Sequence, residues 1–361
     1  MRKPYDIEQI NVMVWLRFPL ILGVVLAHCN LYAILEQGDG YVLEMPAWLV
    51  FIFNELYLVV LPPRVPILFI ISGYFFFRTL NGCKPDNEFF IGKYKKRVSS
   101  LLIPYIIWNA IAIAMLYVKY EIIEKTPLTF IDYMSGFWDF TQRVGYDPAN
   151  GPLWYVRDLM VITLMSPLIY MLTKNKKAAH WYLFILSVLY ATNICLPLVG
   201  FSNDAFLFFS IGAYIAIHNV NITKISGKIG VIMLLLYLPS QLFFNRLAEN
   251  SQYIHAMYLI VSIVKITAVF YLVSLLFKKN ILKPTPQLGK ISFLLYALHG
   301  IIIGPIIMVL YKLSGATDNP LALLGIYVAT PMIIMAATIG LYGLLTKFTP
   351  NIAKAVTGNR G

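Results

Sequence analysis

The chain has 361 residues, of which 59% are hydrophobic and 13% charged, with a mean hydropathy of +0.71 and a formal net charge of +12. Soluble domains carry roughly a quarter charged residues, so an ordinary soluble protein is excluded. Apolar runs of about 20 residues recur along the whole length and are continuous rather than alternating, which points to membrane helices and away from a β-barrel.

Ten apolar segments follow in chain order, at 12–36, 47–80, 98–119, 153–173, 180–198, 204–218, 227–244, 255–277, 290–312 and 320–345. They predict an all-α, polytopic integral membrane protein with about ten transmembrane helices. The first run has no small-residue cleavage site after it and many spans beyond it, so it reads as a retained helix and not a signal peptide. The second is interrupted at Leu61-Pro62-Pro63-Arg64-Val65-Pro66, where missing amide donors and fixed φ angles predict a break or kink. An interfacial helix over 47–61 followed by a short span is the alternative. Cys29, Cys83 and Cys195 show no paired spacing, so neither a disulfide framework nor a zinc site is expected.

The basic residues sit in short loops between the runs, which is topological placement and not a nucleic-acid stripe. Arg2 and Lys3 precede the first span; Lys84, Lys93, Lys95, Lys96 and Arg97 follow the second; Lys174, Lys176 and Lys177 follow the fourth. Lys224 and Lys228, then Lys278, Lys279, Lys283 and Lys290, and finally Lys347, Lys354 and Arg360 continue the pattern. Of the intervening loops, 37–46 and 199–203 have no basic residue, and 245–254 has only Arg246. Positive-inside bias therefore places both termini in the cytoplasm. The long external loop, about 120–152, carries Phe130, Tyr133, Phe137, Trp138, Phe140 and Tyr146, either as a membrane-interface belt or as part of a binding surface.

Arg17 and His28 lie inside the first apolar run. Eleven steps of about 100° come to three turns plus roughly 20°, so the two side chains share one helix face, about 16 Å apart along the axis. An unpaired charge in hydrocarbon costs a few kcal/mol, which makes such residues face a cavity or a partner. Taken singly, Arg17 could snorkel to the headgroups and His28 could be a hydrogen-bonded core residue. The pair on one stripe instead fits a channel that holds an elongated anionic ligand by its charged end and offers its reactive end to a base.

Arg17-(ten residues)-His28 resembles the first-span signature of the membrane acyltransferase-3 family, bacterial enzymes that move acyl groups onto extracytoplasmic acceptors. Val65-Pro66 through Ser72-Gly73-Tyr74 resembles the family's second-span motif, and Lys96-Arg97 through Pro104-Tyr105 its basic entry into the third span. Leu153-Trp154-Tyr155-Val156-Arg157-Asp158-Leu159 is similar to its segment after the long external loop. Ser292, Tyr296 and His299 resemble its late Ser…Tyr…His span. Pro19 inside the first span and the hydrophobic 47–63 segment depart from the pattern.

The resemblance implies one transmembrane acyltransferase domain over 1–361 with no fused soluble domain, in the bacterial cytoplasmic (inner) membrane. It implies acetyl-CoA as acyl donor, no metal, and an acceptor hydroxyl on a cell-envelope glycan or lipid-linked sugar, with a separate extracytoplasmic partner possible and no nucleic acid. Arg17 would hold a CoA phosphate through its planar fork of donors, and Ser72 and Tyr74 would line the acyl path. His28 would act as general base or as acyl carrier. Trp154, Tyr155, Arg157, Asp158, Tyr296 and His299 would stand on the acceptor side. For Ser72, Gly73 and the late stripe, plain helix packing and interhelical hydrogen bonding are the competing readings. A secondary transporter is the competing function, because intramembrane Arg, His and Lys with broken helices also mark substrate pathways.

Overall fold

The computed structural model describes residues 7–29, 31, 34, 46–80, 82–139, 147–248, 253–315 and 319–359, and among them every regular element is helical. Arg2, Lys3, Phe140, Tyr146 and Arg360 lie outside the described residues, as does the side chain of Glu55. The helices are α1 (Ile7–His28), α2 (47–60), α3 (Arg64–Phe77), α4 (Asn87–Ile123), α5 (Phe130–Ser135), α6 (Trp154–Leu164), α7 (Ser166–Thr173) and α8 (Lys176–Ala191). They continue with α9 (Asn203–Ile217), α10 (Ile222–Ala248), α11 (Ile254–Lys278), α12 (Pro286–Leu313), α13 (Pro320–Phe348) and α14 (Pro350–Thr357).

Among the described residues, the bulk of each of the ten apolar segments falls on a helix or a helix pair. Six helices among the described residues, α1, α4 and α10–α13, are long and apolar enough to cross a bilayer, and a seventh crossing results if the bent pair α6–α7 is one span. The pair turns by 61° at Met165, where Pro167 follows and cannot continue the amide ladder. The predicted break at Pro62-Pro63 separates α2 from α3. α1 ends at His28, so the histidine occupies the last turn of its helix; of the rest of the segment expected to reach 36, only Cys29, Leu31 and Ile34 are among the described residues.

α4 shows how a proline is absorbed. Pro104 offers no amide hydrogen and its ring crowds the carbonyl one turn back, and the helix widens into a π-helical turn over Val98–Leu102.

The chain divides into two compact units. The first comprises Met1–Leu20, Pro62–Val98 and Tyr155–Pro286. Its centre is the crossing of α3 and α9, which requires glycine on both sides: a Cβ on Gly73 would lie 2.1 Å from the Phe209 carbonyl oxygen, and one on Gly212 2.1 Å from that of Ile70. Phe76, Phe77 and Phe209 pack around the contact with ring centroids 4.8–6.3 Å apart. The start of α1 is fastened in the same unit. The Gln9 side chain accepts from the Ile222 amide at 2.6 Å at the head of α10, and Glu8 pairs with Lys278 at 3.4 Å at the foot of α11.

The second unit comprises Ile21–Leu61, Ser99–Trp154 and Gln287–Gly361. Here α14 folds back on α4. Trp108 Nε1 donates to the Val356 carbonyl at 3.0 Å, and Gly358, at φ 70°, ends α14 with its Cα so close to Ser100 that a Cβ would lie 2.5 Å from the Ser100 carbonyl oxygen.

Gly212→Ala should strain the α3–α9 crossing by about 1–3 kcal/mol, as overpacking does. The expected result is a lower thermal midpoint of the full chain in detergent; an unchanged midpoint would contradict the crossing.

Candidate active site

The expected site residues fall into two clusters, one in each unit. In the first unit, α1 carries Arg17 so that its guanidinium lies 4.4 Å from the centroid of the Phe75 ring. Arg78, just past the end of α3, lies over the same ring at 5.2 Å. Arg97 and Lys93 on the first turns of α4 lie over Phe76, at 5.9 and 5.3 Å. Arg78 and Arg97 are both close enough to Arg17 to act on it electrostatically. Aromatic faces make cations tolerable away from bulk water, at about 2 kcal/mol each when desolvated. They do not remove the mutual repulsion, which a bound polyanion does.

Ser72 and Tyr155 meet beside this cluster, sharing a hydrogen bond of 3.1 Å, and the Tyr155 ring rests on Phe69 at 4.6 Å. Tyr155, expected on the acceptor side, thus stands next to a residue expected on the donor side. Tyr74 is buried and its ring edge meets Phe75. Arg157 and Asp158, adjacent in sequence, pair with each other at 3.0 Å while almost fully buried. Lys265, in mid-helix on α11, is buried with its ammonium 4.9 Å from the Tyr237 ring. Sequence reasoning missed Phe75, Arg78 and the link of Arg97 to Arg17; the aromatic run closed by arginine at Phe75–Arg78 was the available signal.

The second unit holds the histidines. The His28 and His299 rings stand edge to face with centroids 5.2 Å apart. His28 is exposed and its Nδ1 bonds to the Val24 carbonyl at 2.8 Å; His299 is fully buried and its Nδ1 faces the Leu295 carbonyl at 3.3 Å. A carbonyl only accepts, so both neutral rings carry the proton on Nδ1 and the lone pair on Nε2. Tyr296 and His299, predicted on one stripe of α12, do stand together at 5.8 Å, and the Tyr296 hydroxyl donates to the Pro152 carbonyl. Ser292, on the same stripe, instead donates to the Gly289 carbonyl of its own helix at 2.8 Å. Trp154 is half-buried at the start of α6.

Asn150 was missed by sequence reasoning. It is 1% exposed; its Nδ2 donates to the Ala297 carbonyl at 2.9 Å and its amide to Asn109 Oδ1 at 3.0 Å. Gly300 permits this approach, because a Cβ there would lie 2.3 Å from Asn150 Oδ1. Nearby, a groove of about 700 Å³ is lined by Ile111, Met115, Lys119, Ala149, Gly300 and Pro305 among others. Its walls are apolar apart from Lys119, so it is no place for a polyphosphate. Among the described residues, no group of three or more His, Cys, Asp or Glu side chains could hold a metal.

A family model described as an acyltransferase domain, acyltransferase-3, matches residues 10–340. The chain is also 25% identical over 367 residues to the succinoglycan biosynthesis protein ExoH of Rhizobium meliloti (strain 1021), covering 98% of this chain and 92% of that protein. No solved structure matches. For the second cluster, Gly300→Ala should push the 150–152 segment off α12. A fall in thermal midpoint matching about 1–3 kcal/mol is expected, and full stability would show that the contact is not tight.

Proposed function

The chain belongs to the acyltransferase-3 family, and on that premise we propose that it is a membrane O-acyltransferase carrying acetyl from cytoplasmic acetyl-CoA to a hydroxyl of a cell-envelope glycan or lipid-linked sugar. The observation that carries the donor half is the gathering of Arg17, Arg78 and Arg97 on the aromatic faces of Phe75 and Phe76. CoA is a polyanion, and guanidinium forks match its phosphates in geometry as well as charge. Charge alternation along the sequence assigns this end of α1 to the cytoplasmic side, where CoA is found. The same alternation supports ten crossings with both termini cytoplasmic, in one transmembrane domain of a bacterial inner membrane.

His28 lies eleven residues further along α1, about 16 Å up its axis, a spacing over which the extended pantetheine arm would deliver its thioester. There the imidazole would take the acceptor's proton or carry the acyl group itself. Either role needs a lone pair on Nε2, the tautomer that the Val24 carbonyl favours. The acceptor half leans on the relative's part in succinoglycan biosynthesis, and Trp154, Tyr296 and His299 are the residues we assign to it. Completion of transfer outside the membrane by a separate extracytoplasmic partner is compatible with this scheme. No metal enters it. The family match leaves the transporter reading without support of its own.

The donor half is tested without knowing the acceptor. A ligand that binds only the folded state raises stability by RT ln(1 + [L]/Kd), about 2.7 kcal/mol at a hundredfold excess over Kd. Acetyl-CoA should therefore raise the thermal midpoint of wild type and His28→Ala in detergent, and fail to do so for Arg17→Ala. No shift in a folded wild type would overturn the proposal and favour the transporter. His28→Ala should also abolish acyl transfer in membranes while still inserting and folding; surviving activity would remove His28 from the chemistry.

A further inference from the structure

Among the described residues of the second unit, the buried acceptors Asp139 Oδ1, His299 Nε2 and Asn150 Oδ1 have no hydrogen-bond partner, and the last two share a frame on α12. Their chemical identity follows from their neighbours. Asn150 Nδ2 is occupied by the Ala297 carbonyl at 2.9 Å, which fixes the other amide atom as oxygen. His299 Nδ1 faces the Leu295 carbonyl, which leaves Nε2 with the lone pair. Both atoms therefore offer lone pairs and can be satisfied only by donors.

The two sit on one rigid frame. Asn150 is bonded to the turn of α12 that holds Ala297, two residues from His299, and Gly300 presses against the Asn150 side chain. The Tyr296 hydroxyl ties the same turn to Pro152. Buried acceptors are normally satisfied, and ones left unpaired inside a fixed frame call for a donor from outside it, a water or a ligand hydroxyl. His28, whose ring meets that of His299 edge to face, is exposed, while His299 and Asn150 are enclosed.

We propose that Asn150 and His299 form the hydroxyl-binding end of the acyl-transfer site, and that His299, not His28, removes the proton of the hydroxyl that is acylated. This rests on the acyltransferase reading above and divides its chemistry between two imidazoles. A carbohydrate is rich in O–H donors and suits a floor made of acceptors. One hydroxyl donates to Asn150 Oδ1 and is held; another donates to His299 Nε2. As His299 takes that proton, the oxygen forms a bond to the acyl carbon presented at His28. The bond from that carbon to the CoA sulfur breaks, or the bond to the His28 nitrogen if that ring carries the acyl group. On the direct route the leaving sulfur takes the proton that His299 holds; on the acyl-carrier route the CoA sulfur has already left with the His28 Nδ1 proton, and His299 returns its proton to the freed His28 ring, so both rings end neutral.

His299→Asn tests this, because the shorter amide can still reach the Leu295 carbonyl while Nε2 is deleted. The full chain in native membranes is given radiolabelled acetyl-CoA, and label entering the membrane's own glycan is counted. In parallel, the purified protein is titrated with acetyl-CoA by thermal shift. The expected result is a loss of transfer of at least 100-fold, with the midpoint without ligand close to wild type and acetyl-CoA affinity within threefold. His299→Gln, whose amide extends towards the Nε2 position but cannot take a proton, should behave in the same way and serves if the asparagine variant is unstable. Transfer within threefold of wild type in either folded variant overturns the assignment. Loss of acetyl-CoA binding along with transfer also overturns it, by placing His299 on the donor side. A wild type that incorporates no label overturns the acyltransferase reading itself, an outcome distinct from failure of the variants alone.

Discussion

A polar group taken out of water must find its partner inside the protein, and in hydrocarbon no solvent stands ready to make up a shortfall. That constraint accounts for the wholly helical character of the described backbone, since a helix pairs its own amides and carbonyls. It also governs the side chains. Arg157 and Asp158 neutralise each other within one helix, Lys265 lies against the Tyr237 ring, and Thr163, Thr173, Thr330 and Thr338 each return their hydroxyl to the carbonyl four residues back. Against this background of local satisfaction, the gathered arginines around Phe75 and the unpaired acceptors of Asn150 and His299 are exceptions. Exceptions of this kind cost stability, about 1–3 kcal/mol for an unpaired buried polar group, and are kept where a ligand makes good the deficit.

Close approach of backbones is the second requirement. Lipid tails are as apolar as leucine, so helices in a membrane gain little from burying apolar faces against one another and depend on tight packing. Gly73 and Gly212 allow α3 and α9 to touch backbone to backbone, and Gly300 admits the Asn150 side chain to the face of α12. These glycines position functional groups indirectly. The first pair sets α3, and with it Phe75 and Ser72; the last sets the frame around His299.

Both units use helix irregularity to place chemistry. The bend between α6 and α7 follows a short α6 that carries Tyr155, Arg157 and Asp158, and the π-helical turn of α4 starts just after Arg97. Prolines at 104 and 167 account for both. Within membrane helices such breaks are tolerated because neighbouring groups satisfy the freed carbonyls.

The sequence by itself determined the class of protein, the position of its apolar segments, the proline breaks and the family, because these depend on local composition and on motifs written along one strand of text. Arg17, His28, Tyr296 and His299 were legible for the same reason: rare polar residues in apolar runs, at spacings that helix geometry converts into shared faces. Only the tertiary structure decided which of them meet. That Arg78 joins Arg17 over Phe75, that Tyr155 pairs with Ser72 83 positions away, and that Asn150 reaches the Ala297 carbonyl 147 positions away depends on how separate helices pack. Helical periodicity fixes the face on which a side chain lies, but the partner across that face is set by close packing between segments remote in sequence.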